Sequence, residues 1–143
     1  MSTVKDVPPF RLVGLDHVVI RARDVERLRR FYCGVLGCQV ERVQAELGLT
    51  QLRAGRSLID LIDVAGALGR AGGAPPGAEG RNMDHLCLSI EPFDAQAIRA
   101  HLSRHGVAAG EPASRYGAEG EGPSIYLTDP EGNTVEIKGP PVA

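Results

Sequence analysis

The chain has 143 residues, 43% of them hydrophobic and 24% charged, the proportions of a folded globular domain rather than a disordered chain. A domain of this size buries roughly 68–70% of its unfolded surface, so it can hold a core without disulfide or metal staples. Sixteen basic residues against eighteen acidic ones leave a formal charge of −2, which disfavours nucleic acid as a partner because phosphate recognition needs a basic footprint.

No apolar run approaches the roughly 18 residues of a membrane span, and the opening MSTVKDVPPFRLVG has no apolar signal core. The three cysteines, Cys33, Cys38 and Cys87, form no CxxC pair and no even framework. They read as small buried hydrophobes in a reducing, cytoplasmic compartment.

In chain order, LVGLDHVVIRA (12–22) is rich in β-branched residues and reads as a strand. Asp24 is a helix N-cap for VERLRRFYCGVLG (25–37), where Val25, Leu28, Phe31, Tyr32 and Val35 recur at helical spacing. Gly37 stops that helix, and QVERVQAE, GLTQLRAG and SLIDLIDV follow as three short strands. Residues 65–82, AGALGRAGGAPPGAEGRN, are a loop by their Gly and Pro content. Then the order repeats. NMDHLCLSIE (82–91) reads as a strand, Asp94 caps a helix over 94–106, and Val107–Glu111 reads as a short strand. Residues 108–123 are largely irregular by composition, and SIYLTDPEGNTVEIKG (124–139) reads as a hairpin around Asp129–Asn133.

The repeat points to chemistry. Asp16-His17 heads the first strand of one half and Asp84-His85 that of the other, and Asp60 and Glu136 lie among aliphatic neighbours in the two final strands. A carboxylate in such a run is costly to bury without a partner. Two His and two acids at repeat-related places suggest one shared divalent first-row metal, with coordination positions left open. Structural histidines and a solvent-facing Asp60 are the plain alternatives. His101 and His105, four apart on the second helix, lack an HExxH pattern and read as solvated. Strand alternation sets Ser124, Tyr126 and Thr128 on one face. Arg115-Tyr116, in the Gly-rich stretch, are placed to close over a substrate and pair with an anionic group.

LDHVVIRARDVERLRRFYCGVLG together with IYLTDPEGNTVEIKG resembles the vicinal oxygen chelate superfamily of glyoxalases, bleomycin-resistance proteins and extradiol dioxygenases. The resemblance covers about residues 12–139. It implies an α+β fold in which two βαβββ modules, 12–64 and 83–139 with the linker 65–82 between them, form a curled mixed sheet (a half-barrel) around a central cavity. It implies one divalent ion per site (Ni, Co, Zn, Mn or Fe(II)) on His17, His85, Glu136 and Asp60, although members commonly carry Glu or Gln where this chain has the shorter Asp60. It also implies a homodimer acting on a small-molecule substrate, with the four ligands meeting within one chain or across the dimer.

The chemistry so implied is lyase or isomerase action on a small oxo compound or its thiol adduct through a metal-stabilised enolate. Glu136 is the first candidate base and Asp60 the second, with Arg115, Tyr116, Ser124 and Tyr126 as substrate-binding candidates. Arg21, Arg23, Arg53 and Arg115 are candidates for a glutathione site, with surface arginines as the alternative. Other readings are a Fe(II) dioxygenase on His17, His85 and Glu136, a thiol transferase for antibiotic resistance, and a metal-free drug-binding dimer. The last is disfavoured by 4% aromatic residues and no Trp.

Overall fold

Two βαβββ units follow one another, each a four-stranded mixed sheet carrying one helix, and neither sheet closes into a barrel. The structure is a computed structural model and describes residues 7–142. The first unit comprises β1 (His17–Ala22), α1 (Val25–Gly34), β2 (Gln39–Gln44), β3 (Leu49–Ala54) and β4 (Ser57–Asp63). The second comprises β5 (Leu86–Ser89), α2 (Ala95–Arg104), β6 (Ala113–Gly117), β7 (Gly120–Thr128) and β8 (Thr134–Lys138). The sheet orders are β1-β4-β3-β2 and β5-β8-β7-β6, so in each unit the first strand lies parallel beside the last.

The helices start where their caps dictate. The Asp24 carboxylate accepts the Arg27 N–H at 3.0 Å, and Asp94 accepts that of Ala97 at 3.1 Å. Leu28, Phe31 and Tyr32 of α1 and Leu102 of α2 are buried. They join Ile20, Leu52, Ile59, Leu61, Ile125, Val135 and Ile137 in one apolar cluster that spans both units. Each such side chain contributes about 1.5–3 kcal/mol by leaving water.

Polar clasps tie the units together. The Tyr32 hydroxyl donates to Asp129 Oδ2 at 2.7 Å. The Glu131 carboxylate accepts the Arg23 and Asp24 N–H groups at 2.7 and 2.8 Å, just ahead of α1. Asn82 accepts the Arg21 N–H at 3.2 Å, and its amide donates to Arg21 O and Asn133 Oδ1, each at 3.0 Å. Arg21 holds the 65–82 loop, donating to the carbonyls of Gly69, Gly73 and Ala74. A side chain at Gly72 would strike that guanidinium at 2.6 Å.

Three expectations are corrected. The first strand begins at His17 rather than at 12, because the β4 pairing register starts at His17–Leu58, and Leu12 and Leu15 are exposed. No strand forms over Val107–Glu111, where only Ala109 bridges Leu127. The edge is supplied instead by β6, paired antiparallel with β7 through the Gly-rich 113–124 stretch. Glycine is a poor strand former by itself, but neighbour pairing overrides local preference, and Gly120 at φ 108° turns the hairpin. His101 is half-buried rather than solvated, with Nε2 2.7 Å from Val35 O, so it bridges the two helical regions, whereas His105 is exposed.

Candidate metal and substrate site

Strand register repeats the same device in both units. Val19 pairs with Asp60 and Cys87 with Glu136, so His17, two residues earlier on β1, and His85, just ahead of β5, each stand diagonal to the acid on the same sheet face. His17 Nε2 lies 4.0 Å from Asp60 Oδ2, and His85 Nε2 lies 3.2 Å from Glu136 Oε1.

The preceding aspartates orient both rings. His17 Nδ1 is 2.7 Å from Asp16 Oδ1, and His85 Nδ1 is 2.6 Å from Asp84 Oδ2. An ionised carboxylate only accepts, so each ring, when neutral, donates Nδ1–H and turns the lone pair of Nε2 toward Asp60 or Glu136. Both acids are buried, 4% and 5% exposed, so neither is relieved by bulk water. A lone-pair nitrogen facing an ionised carboxylate needs a proton or a cation between them. A carboxylate behind the other ring nitrogen is also the usual support of a metal-bound imidazole. The donor set therefore fits a divalent ion. Among the described residues no three His, Cys, Asp or Glu side chains are gathered to hold a metal, so each unit contributes a pair and no more.

The pairs differ in their surroundings. Gln51, across from Asp60 on β3, donates its amide to Oδ1 and Oδ2 at 3.3 and 3.2 Å. Asp60 is thereby pinned by an amide, while Glu136 has one more methylene and faces the Tyr126 phenol and the Cys87 thiol instead of an amide. The His17 ring is pushed to a higher pKa, first by its hydrogen bond to Asp16 and then by the Asp60 charge. In the second unit Tyr126 meets the His85 ring edge-on at 5.4 Å. Burial, with the facing Glu136 charge second, raises the Tyr126 phenol. Burial and then Glu136 push the Cys87 thiol up to about 11, with Lys138 opposing.

A cavity of about 790 Å³ opens on the second unit. Its walls include His85, Cys87, Glu136 and Lys138, the β3–β4 turn at residues 54–57, and Tyr116, but not His17 or Asp60. Arg115 and Tyr116 lie on β6 and not on a closing loop. Arg115 donates to Ser124 O and Oγ at 3.0 and 2.7 Å and stacks 4.5 Å above the Tyr126 ring. Those three residues brace the sheet face beside the cavity, whereas Tyr116 stands exposed at its mouth. Arg21 serves the linker, Arg53 pairs with Glu41 at 3.0 and 3.1 Å, and Arg23 contributes its backbone N–H to the Glu131 clasp.

Sequence reasoning missed Gln51, Cys87 and Lys138. The signal for Lys138 was present, since it stands two residues after Glu136 and therefore shares its face. Gln51 carried no such sign, because its partner is set by the β3–β4 register.

Comparison with known proteins agrees with this layout. Residues 14–137 match the family model described as the Glyoxalase/Bleomycin resistance protein/Dioxygenase superfamily. Glyoxalase domain-containing protein RDO1 of Mycosarcoma maydis is 34% identical over 126 residues, 87% of this chain and 66% of that protein. The mitochondrial methylmalonyl-CoA epimerase of Mus musculus is 25% identical over 124 residues, 84% of this chain and 68% of that one. The chain thus spans about two thirds of the length of these curated relatives. Among solved structures, virulence protein STM3117 of Salmonella typhimurium superposes with a TM-score of 0.75 at 28% identity, covering 92% of this chain and 100% of that one. By the extent of the family match and the duplicated βαβββ units, the chain belongs to the Glyoxalase/Bleomycin resistance protein/Dioxygenase superfamily.

Proposed function

We propose that the protein is a metal-dependent glyoxalase-type enzyme that moves a proton next to a carbonyl of a small oxo compound or its thiol adduct, as a lyase or isomerase. The observation that carries this reading is the paired imidazole and buried carboxylate, 3.2 Å apart at His85–Glu136 and repeated at His17–Asp60. His85, Glu136 and His17 would hold a divalent ion directly, with Asp60 completing the set. Because the two pairs stay apart within one chain, the site is completed by a second copy, the first unit of one chain facing the second unit of the other. The half-exposed face around His17 and Val19, the latter 42% exposed, supports this arrangement.

A bound divalent ion would polarise a substrate oxygen and lower the cost of negative charge on it. The rest falls to the chain itself. Glu136 takes the proton from the carbon next to that carbonyl and returns it to the opposite face of that carbon or to the neighbouring carbon, because its longer side chain is free of the amide clamp that holds Asp60. Tyr126 packs on His85 and keeps that ring in place. Burial of Glu136 keeps water from competing for its oxygens.

Metal analysis of purified protein, followed by titration of stripped protein with Ni, Co, Zn, Mn and Fe(II), tests the reading. One ion per site is expected, with sharp loss in His85→Ala and Glu136→Ala. Mixing denatured His17→Ala and His85→Ala chains and refolding them tests the cross-chain site. Random reassortment into two-fold dimers restores roughly a quarter of the sites if ligands come from both copies, and none if each site lies within one chain. No binding of any ion by the parent protein overturns the enzyme reading in favour of a metal-free ligand-binding protein.

A further inference from the structure

Lysine is nearly absent from this chain. Its positive charge is carried by arginine except at Lys5 and Lys138, and only Lys138 lies among the described residues. Lys138 is 7% exposed and lines the cavity beside Glu136. It makes no ion pair among the described residues. The other charged groups in the cavity wall apart from Glu136, namely Arg56, Glu91 and Glu119, are exposed at the rim, where solvent screens them.

The backbone makes room for this side chain. A Cβ added at Gly117 would lie 3.0 Å from Lys138 Cε and 3.1 Å from Cδ, and one added at Gly122 would lie 3.0 Å from Nζ. The lysine stem therefore runs across two glycines of the β6–β7 hairpin. Burying an ammonium group without a counter-charge is costly, and a cavity wall is where a ligand supplies one.

We propose that Lys138 binds an oxyanion of the substrate, a carboxylate or phosphate-type group, at the end of the cavity away from His85. Side chains two apart on one strand are spaced by about 6.5–7 Å, so an anion at Lys138 stands a few bonds from the atom Glu136 would deprotonate. The substrate class is then a short oxo acid or its phosphorylated equivalent, with its oxo group at the His85–Glu136 end. This deepens the reading above and rests on the second unit's cavity as the place of the substrate. It does not require the metal to be present.

The test uses the full chain, stripped of metal and labelled with 13C at lysine Cε. Two lysine signals are expected, Lys5 serving as internal reference. Titration with acetate and with inorganic phosphate should move the Lys138 signal to saturation, and the anion that binds more tightly identifies the class. Calorimetric titration, which needs no lysine signal, should show that Lys138→Met weakens that anion about ten- to hundredfold, the span of a hydrogen bond to a charged group. Lys138→Arg should retain most of the affinity, and zinc affinity should be unchanged in both. Glu136→Gln should do the reverse, losing zinc while keeping the anion. The proposal is overturned if neither anion moves the Lys138 signal or if Lys138→Met binds both as the parent does. It is also overturned if Lys138→Met loses zinc and anion together, which would make the lysine a support for Glu136. Zinc failing to bind the parent protein while the anion still binds Lys138 would overturn the metal reading alone.

Discussion

Tyr32→Phe removes one oxygen atom from the clasp between the two units, and its cost follows from the contacts that remain. The hydroxyl donates to Asp129 Oδ2 at 2.7 Å, and Tyr32 and Asp129 are 0% and 4% exposed. The ring stays where it is, edge-on to Phe31 at 5.2 Å, so apolar burial is unchanged and no sizeable cavity opens. Asp129 keeps three donors: Glu131 N at 2.9 Å, Asn133 N at 3.0 Å and Asn133 Nδ2 at 2.8 Å. The loss is therefore one hydrogen bond to a charged group, about 1.5–3 kcal/mol, with no wholly orphaned carboxylate added to it. We expect about 2 kcal/mol, or a Tm lower by roughly 6–8 °C for a domain of this size. Urea unfolding of parent and variant followed by tryptophan-free probes (far-UV circular dichroism and tyrosine absorbance) measures it, with m unchanged. A change below about 0.5 kcal/mol, the range of a neutral surface substitution, would refute the view that this contact holds the units together.

Alkaline stability supplies a related expectation. Burial raises Cys38 from 9.0 to about 11 and also raises Tyr32, where the Asp129 charge adds to it. Groups whose folded pKa is raised stabilise fully below the unfolded pKa, so stability should fall as pH climbs from about 9 through about 11. Cys38→Ala and Tyr32→Phe should each flatten that decline in melts taken across this range, and an unchanged slope in both would refute the assignment. Leu52→Ala, at a fully buried position between the first sheet and its helix, should cost about 2–5 kcal/mol in urea titration. Asp60→Ala should retain measurable zinc affinity, unlike His85→Ala. Loss as complete as in His85→Ala would place Asp60 on equal terms with the other ligands. Gly117→Val should displace the Lys138 stem it would touch at 3.0 Å, abolishing the acetate and phosphate shifts while zinc still binds, and retained shifts would show that the hairpin does not position the lysine.

Much of the molecule could be read before its coordinates. The two His–acid pairs were legible because a β-strand alternates, so a His heading an apolar run and an acid inside another declare their faces by position alone. The caps at Asp24 and Asp94 were legible for the same local reason: a short carboxylate reaches the orphan N–H groups of the turn that follows it. The β6–β7 hairpin was not, because Gly-rich residues 113–124 owe their extended form to pairing with each other and with β8 rather than to any preference of their own. His101 looked solvated because its partner, Val35 O, lies 66 positions away in sequence.

The sequence by itself thus determined the duplicated βαβββ plan and the strand faces that carry the two His–acid pairs, since these depend on periods of two and 3.6 residues. Only the tertiary structure decided that Asp60 is clamped by Gln51, that Lys138 is a buried cation lining the cavity, and that the two His–acid pairs stay separate within one chain. These depend on strand register and on how the two sheets are set against each other, and contacts made over long sequence separations leave no periodic trace in the order of residues.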